Sequence, residues 1–256
     1  MLLDGMSFDK YIDNPSGGAS VINNRQMYKD LYRSKFEKVL LKEGGGIKYS
    51  VYHADDKNDS YYIYFKIPSE SIDNFYYDVV IHLFTHMMPK KVNMTLRQYQ
   101  VEFYSNDPAF TYTHVHAFAK NHLFIKDLEH KMSSKALSEK AKERNPKDNV
   151  WYVKSLYFAY LAMEKYGLFN RATLQMISKP YSKHVFDNKI VHADTKIKAR
   201  QDAAAKAEKA KAESRSNEIK EYNDSRNLRH KTQTSKVSTV SKVSKISKTT
   251  KVTKKR

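Results

Sequence analysis

The chain of 256 residues has no cysteine, which excludes a disulfide framework and a thiolate metal site and leaves stability to packing. No window approaches the ~20 apolar residues of a bilayer-crossing helix. The first ten residues, MLLDGMSFDK, lack the basic lead-in and long apolar core of a secretory leader. A protein without a membrane span is therefore expected, made in a cytoplasm and kept there or in something assembled there. Catalytic signatures are equally scarce. Gly44-Gly45-Gly46 is followed by Ile47-Lys48-Tyr49, not by the Gly-Lys-Ser/Thr that opens the helix of a phosphate loop. No Gly-x-Ser-x-Gly elbow is present, and no carboxylate pair stands out, so no cofactor is expected. Acidic residues are missing altogether from Arg226 to Arg256, where eleven Lys or Arg stand.

Aromatic residues are plentiful. Nineteen Tyr and twelve Phe are concentrated before about residue 190, enough for one sizeable core. The net charge of +18 is unevenly spread, because the segment from Arg226 onward holds eleven of it and leaves +7 on positions 1–225. A basic tail on a mildly basic body suits a polyanionic partner, whether nucleic acid, an anionic membrane surface or an acidic protein.

Four regions follow in order. Residues 1–23, centred on Asn14-Pro15-Ser16-Gly17-Gly18, read as an irregular arm that needs a neighbour to order it. Residues 24–190 read as a globular α+β domain. Met27, Tyr28, Leu31, Tyr32, Phe36, Val39 and Leu40 recur at helical spacing between an Asn24 cap and the Gly44 to Gly46 stop. Residues 47–54, 61–67 and 76–84 carry the Tyr, Ile, Val and Phe of strands. In Arg97 to Phe118, Tyr99, Val101 and Phe103 alternate with polar residues. Beyond Ser105-Asn106-Asp107-Pro108, the residues Phe110, Tyr112, His114, His116 and Phe118 alternate again, which predicts a β-hairpin and a mostly antiparallel sheet of about five strands. Further helices are expected over Lys131–Glu143, over Val150–Tyr166 behind an Asn145-Pro146 start, and over Asn170–Ile177, with Gly167 as a stop. Residues 191–224, rich in Ala, Lys and Glu, read as a solvated charged helix.

Residues 225–256 contain the clearest internal repeat, SKV-STV-SKV-SKI-SKT-TKV-TKK. A period of three puts its lysines on no single helical face, and without Gly or Pro it is neither collagen nor polyproline. Disorder is expected from high charge and the lack of large apolar groups. Lys231, Lys236, Lys242, Lys245, Lys248, Lys251, Lys254, Lys255 and Arg256 are the candidate anion-binding residues. Ten of the eleven basic groups from Arg226 onward, placed on duplex phosphates, would make log K fall with log salt at a slope of about −9.

Two histidine pairs invite a metal. His114-Val115-His116 on a strand has the His-hydrophobe-His form of rolling-circle initiators and relaxases, in which paired imidazoles hold a divalent metal and a helix tyrosine attacks DNA. Tyr152, Tyr157 and Tyr160 lack the lysine three residues on that these initiators carry, and Tyr32, which has Lys35, lies upstream of the histidines. No acidic third ligand is evident, so aromatic packing is the competing explanation. His82 and His86 have zinc-protease spacing, but Leu83 occupies the place of the catalytic Glu.

Several segments resemble small structural proteins of tailed bacteriophages. They are Asn14-Pro15-Ser16-Gly17-Gly18 with Asn24-Arg25, Lys66-Ile67-Pro68-Ser69-Glu70, Tyr77-Asp78-Val79, Phe103 to Phe110, and Lys154-Ser155-Leu156-Tyr157-Phe158-Ala159. The likeness covers about residues 8 to 170 and stops short of the tail. It implies a virion or assembly role without assigning a place such as neck, tail or capsid. With the scarcity of catalytic signatures, the expectation is a non-enzymatic structural or assembly protein, the head-tail neck or tail being one such place. Other virion proteins, further copies of the chain and DNA at the basic tail would be the partners. The alternatives are a metal-dependent DNA-nicking initiator using His114 and His116, and a nonspecific nucleic-acid-binding module.

Overall fold

A computed structural model describes residues 6–13, 22–41, 46–55, 59–85 and 94–249, the side chains of 22–25 and 227–249 excepted. The chain divides into two compact units, residues 1–202 and 203–256. The first is an α+β fold around five strands: β1 (Lys48–Asp55), β2 (Ser60–Pro68), β3 (Tyr76–Phe84), β4 (Gln100–Ser105) and β5 (Lys179–Pro180). Their order in the sheet is β4-β3-β2-β1-β5. The first four pair antiparallel, and the β1–β2 and β2–β3 connections are too short for a helical crossover. Lys179–Pro180 pairs parallel with β1, so the sheet is mixed.

Both faces of the sheet are covered, which explains why β2, SYYIYFKIP, is buried along nearly its whole length rather than at alternate residues. Val51, Ile63, Ile81 and Phe103 stand in register on one face. There Phe103 meets Phe8 and Tyr11 of α1 (Phe8–Asp13), with ring centroids 5.9 and 4.6 Å away. Tyr52 and Tyr62 share the other face, and Phe186 packs on both. Each such fully buried side chain contributes roughly 1.5 to 3 kcal/mol.

Residues 8–13, expected to be irregular, instead fold as α1 and enter the core. A six-residue helix has no stability of its own. It is held because Phe8, Tyr11 and Ile12 are buried and the Tyr152 hydroxyl donates to the Ile12 carbonyl at 2.6 Å. The next helix, α2 (Ile22–Leu40), begins before Asn24, so Asn24 lies within it rather than capping it. Phe36 and Val39 are its buried residues, while Met27 and Leu31 are exposed. Of the expected glycine stop, Gly44 and Gly45 lie outside the described residues.

The second half of the expected hairpin is not a strand. Beyond β4 the chain is helical from Pro108 to Lys120, through a π-helical turn at Phe110–His114 and then α3 (Val115–Lys120). Asp107 starts it: its carboxylate accepts the Ala109 N–H at 2.9 Å and its carbonyl accepts the Thr111 N–H at 2.9 Å. Asp-Pro here is a helix cap with a first-turn proline, not a hairpin corner. Burial then overrides the β-branched local sequence. Phe110, Thr111, Val115, Ala117 and Phe118 turn inward, whereas Tyr112, expected beside Phe110 on one strand face, is 56% exposed.

The outer edge of β4 is closed by two single bridges, Ser7 with Gln100 and Phe124 with Phe103, which protects it from pairing with other chains. Within the expected Lys131–Glu143 helix only α4 (Ser134–Ser138) forms. The central helix α5 (Lys154–Lys165) starts later than Val150, because Asn145 clasps its own loop. Its amide donates to the Asn149 carbonyl at 2.9 Å and its side-chain oxygen accepts the Asn149 N–H at 3.1 Å. Gly167 ends the helix with φ +67°, while the Leu168 N–H donates to the Met163 carbonyl at 2.9 Å. The helix expected over Asn170–Ile177 forms as α6 (Arg171–Ile177), with Asn170 as its N-cap.

The last helix, α7 (Ala193–Thr249), begins within the first unit, where Ala193 and Ile197 are buried. Residues 203–226, in the second unit, are helical and, apart from Ala203, exposed. Among the described residues no helix is long and apolar enough to cross a membrane.

Candidate functional site

The helical backbone at 110–120 separates the paired histidines. Two positions apart on a helix they diverge by roughly 200° at about 100° per residue, whereas on a strand they would have shared a face. His114 closes the π-helical turn, with its Nδ1 3.5 Å from the Asn145 amide nitrogen. Burial pushes its pKa down to about 4, so it is neutral at pH 7. His116 Nδ1 lies 2.9 Å from both Asp148 carboxylate oxygens, and Lys120 Nζ is 3.5 Å from the same group. Asp148 sits at φ +55°, a left-handed position that Asp tolerates better than most residues. Each histidine thus serves a different partner, and the common metal face expected for a strand does not form.

His82 lies on β3, so the helical spacing to His86 does not apply, and His86 itself is outside the described residues. Its ring stacks on Tyr62 at 4.0 Å, and its nitrogens meet Ser60 Oγ and Glu102 Oε2, each at 2.8 Å. Among the described residues no cluster of three or more His, Asp or Glu could hold a metal.

The tyrosines are engaged as well. Tyr152 donates to Ile12, and the Tyr160 hydroxyl shares the Glu164 carboxylate with Arg97. Burial is the leading cause that pushes Tyr157 up and takes Tyr32 and Tyr160 to about 12. A nucleophilic phenol needs the opposite shift. The buried Asp59 is likewise fully used: Tyr61 and Tyr99 donate hydroxyls to it and Arg171 pairs with it at 2.9 Å.

A cavity of about 340 Å³ runs beside the π-helical turn, lined among others by Tyr112, His116, Lys135, Glu139 and Lys140. None of its lining side chains is a buried donor without a partner among the described residues. The more pointed site is a smaller cleft of about 230 Å³ at one end of the sheet. Pro68 to Ser71 follow β2, Tyr77 belongs to β3, Asp107 to Ala109 follow β4, Lys154 and Ser155 open α5, and Arg144 and Arg200 complete it. Within it Glu70 is held by Lys154 at 3.0 Å and by Lys35 at 3.3 Å, and the lysines pull its pKa below the usual carboxylate range against the opposing effect of burial. Arg144 and Arg200 make no ion pair among the described residues, and the Arg200 Nε is buried without a hydrogen-bond partner among them.

No sequence motif announces this cleft, because its charges come singly from five distant stretches. A signal was nevertheless present: segments 66–70, 77–79, 103–110 and 154–159, four of those that carry the phage resemblance, all contribute to its lining. Lys231, Lys236, Lys242, Lys245 and Lys248 have side chains outside the described residues, and Lys251, Lys254, Lys255 and Arg256 lie outside them altogether. No family model, curated protein or solved structure matches the chain.

Proposed function

We propose that the protein is a non-enzymatic structural or assembly component of a tailed-phage virion, at the head-tail neck or tail, with a body that docks to neighbouring virion proteins or copies of itself and a basic C-terminal segment that contacts DNA or an acidic partner. The observation that carries this is the segregation of charge. In the body several titratable side chains that could have done chemistry are committed to internal partners: His116 to Asp148, Glu70 to two lysines, Asp59 to Arg171 and two tyrosines. In the segment from Arg226 to Arg256 eleven cations stand with no acid to neutralise them. Such a run binds polyanions through counterion release without base specificity.

The phage assignment rests on the sequence resemblance and is tested separately, by mass spectrometry of purified virions from the source system. A constant copy number per particle is expected. Absence from particles, with the protein found only at replicating DNA, would overturn it. The nicking alternative gains no support from a geometry that parts His114 from His116 and raises the candidate phenols.

A further inference from the structure

We infer that the cleft between the β2 and β4 ends and the start of α5 binds one phosphate group, as free inorganic phosphate or as a terminal phosphate monoester. Size comes first: about 230 Å³ lies below the roughly 300 to 1,000 Å³ typical of sites for drug-sized ligands. It holds about eight waters at roughly 30 Å³ each, ample room for a tetrahedral oxyanion with residual solvent.

Charge comes second. The lining brings Arg144, Lys154 and Arg200 against Glu70 and Asp107, and Lys35 reaches Glu70 from α2. Within the lining three cations face two carboxylates, and Lys35, from outside it, shares Glu70 with Lys154, so the two arginines remain to offset the −1.5 to −2 charge typical of a phosphate monoester near pH 7. Glu70 is already satisfied by its lysines, and Asp107 caps the helix at Pro108 through the Ala109 N–H. The two arginines are the groups left over.

Third is the Arg200 Nε, buried and without an acceptor among the described residues. A buried Nε donor left unmet is destabilising, and a phosphate oxygen would meet it. The positive end of α5 adds to the same field, since Lys154 and Ser155 line the cleft and Val153 supplies no side-chain cap. The site is independent of the basic tail and of any role in a virion.

The test is calorimetric titration of the full chain with inorganic phosphate at fixed ionic strength, followed by the trinucleotide dT3 with and without a 5′-phosphate. One saturable site is expected for phosphate, competed by sulfate, and weakened at least tenfold in both Arg200→Gln and the exposed-site variant Arg144→Gln. Lys183→Gln, at an exposed lysine outside the cleft lining, should leave it unchanged. Tighter binding of 5′-phosphorylated dT3 than of both inorganic phosphate and unphosphorylated dT3, lost in Arg200→Gln, would identify a nucleic-acid end as the source, and no gain from the 5′-phosphate the free ion. No saturable phosphate binding by the unaltered chain, or binding retained in a folded Arg144→Gln protein and in Arg200→Gln alike, would overturn the assignment.

Discussion

The body and the C-terminal extension solve opposite physical problems with overlapping residue types. In the body the buried carboxylates Asp59 and Asp148 are paired with basic side chains, around a core in which Tyr11, Phe65, Phe103 and Phe118 are almost fully buried. In residues 203–226 similar numbers of acids and bases stand on an exposed helix, where even Ile219 and Tyr222 are 61% and 67% exposed. Beyond Arg226 the acids disappear. A charge that must sit inside a fold is matched or removed, while a charge kept for a partner is left unmatched.

If the contrast is right, substitutions in the body cost stability in proportion to burial. Phe103→Ala deletes a ring packed against Phe8, Tyr11 and Phe118 and should lower the unfolding free energy by about 3 to 5 kcal/mol in denaturant titrations. Asp59→Asn should cost about 2 to 3 kcal/mol, since it strips Arg171 of its counter-ion and weakens two tyrosine hydrogen bonds. Double-mutant cycles with Arg171→Met would show that loss shrinking when both partners are gone.

The pH dependence of the body has a definite sign. His114 titrates near 4 in the folded protein and near 6.5 when unfolded, so between those values the unfolded state takes up the extra proton. Its contribution is complete above about pH 6.5 and is lost as pH falls towards 4, amounting to about 2 to 3 kcal/mol. The difference in unfolding free energy between the parent and His114→Gln, measured from pH 7 to pH 4, should narrow by that amount. A difference independent of pH would mean that His114 is solvated rather than buried. The smallest effect belongs to the extension: Lys209→Ala or Ile219→Ser should change stability by less than about 0.5 kcal/mol, as at other exposed sites.

The same contrast governs how much was legible in the sequence. Strands β1 to β4, α2, α6 and the Gly167 stop follow from local chemistry that tertiary packing reinforces. Where the two disagree, packing prevails. Phe110 to Phe118 alternates like a strand, yet the Asp107-Pro108 cap and the burial of Phe110 and Phe118 make it helical, and with that the histidine pair parts. Phe8 to Asp13 is too short to show a period and becomes ordered only because the sheet supplies a surface. The two-residue β5 carries no pattern at all. For the cleft, individual segments were visible but their convergence was not, since Arg144 and Arg200 meet Glu70 and Lys154 only through the topology.

The central claim is that unpaired charge at the C-terminal end, not the body, engages extended polyanions. Its most direct test is the salt dependence of duplex DNA binding by the full chain and by a chain ending at Asn223. The full chain should bind with a log K against log salt slope approaching about −9 for ten phosphate contacts, and the shortened chain should lose measurable binding at the same salt. Equal affinity and equal slope for the two chains would place the polyanion site on the body and contradict the account.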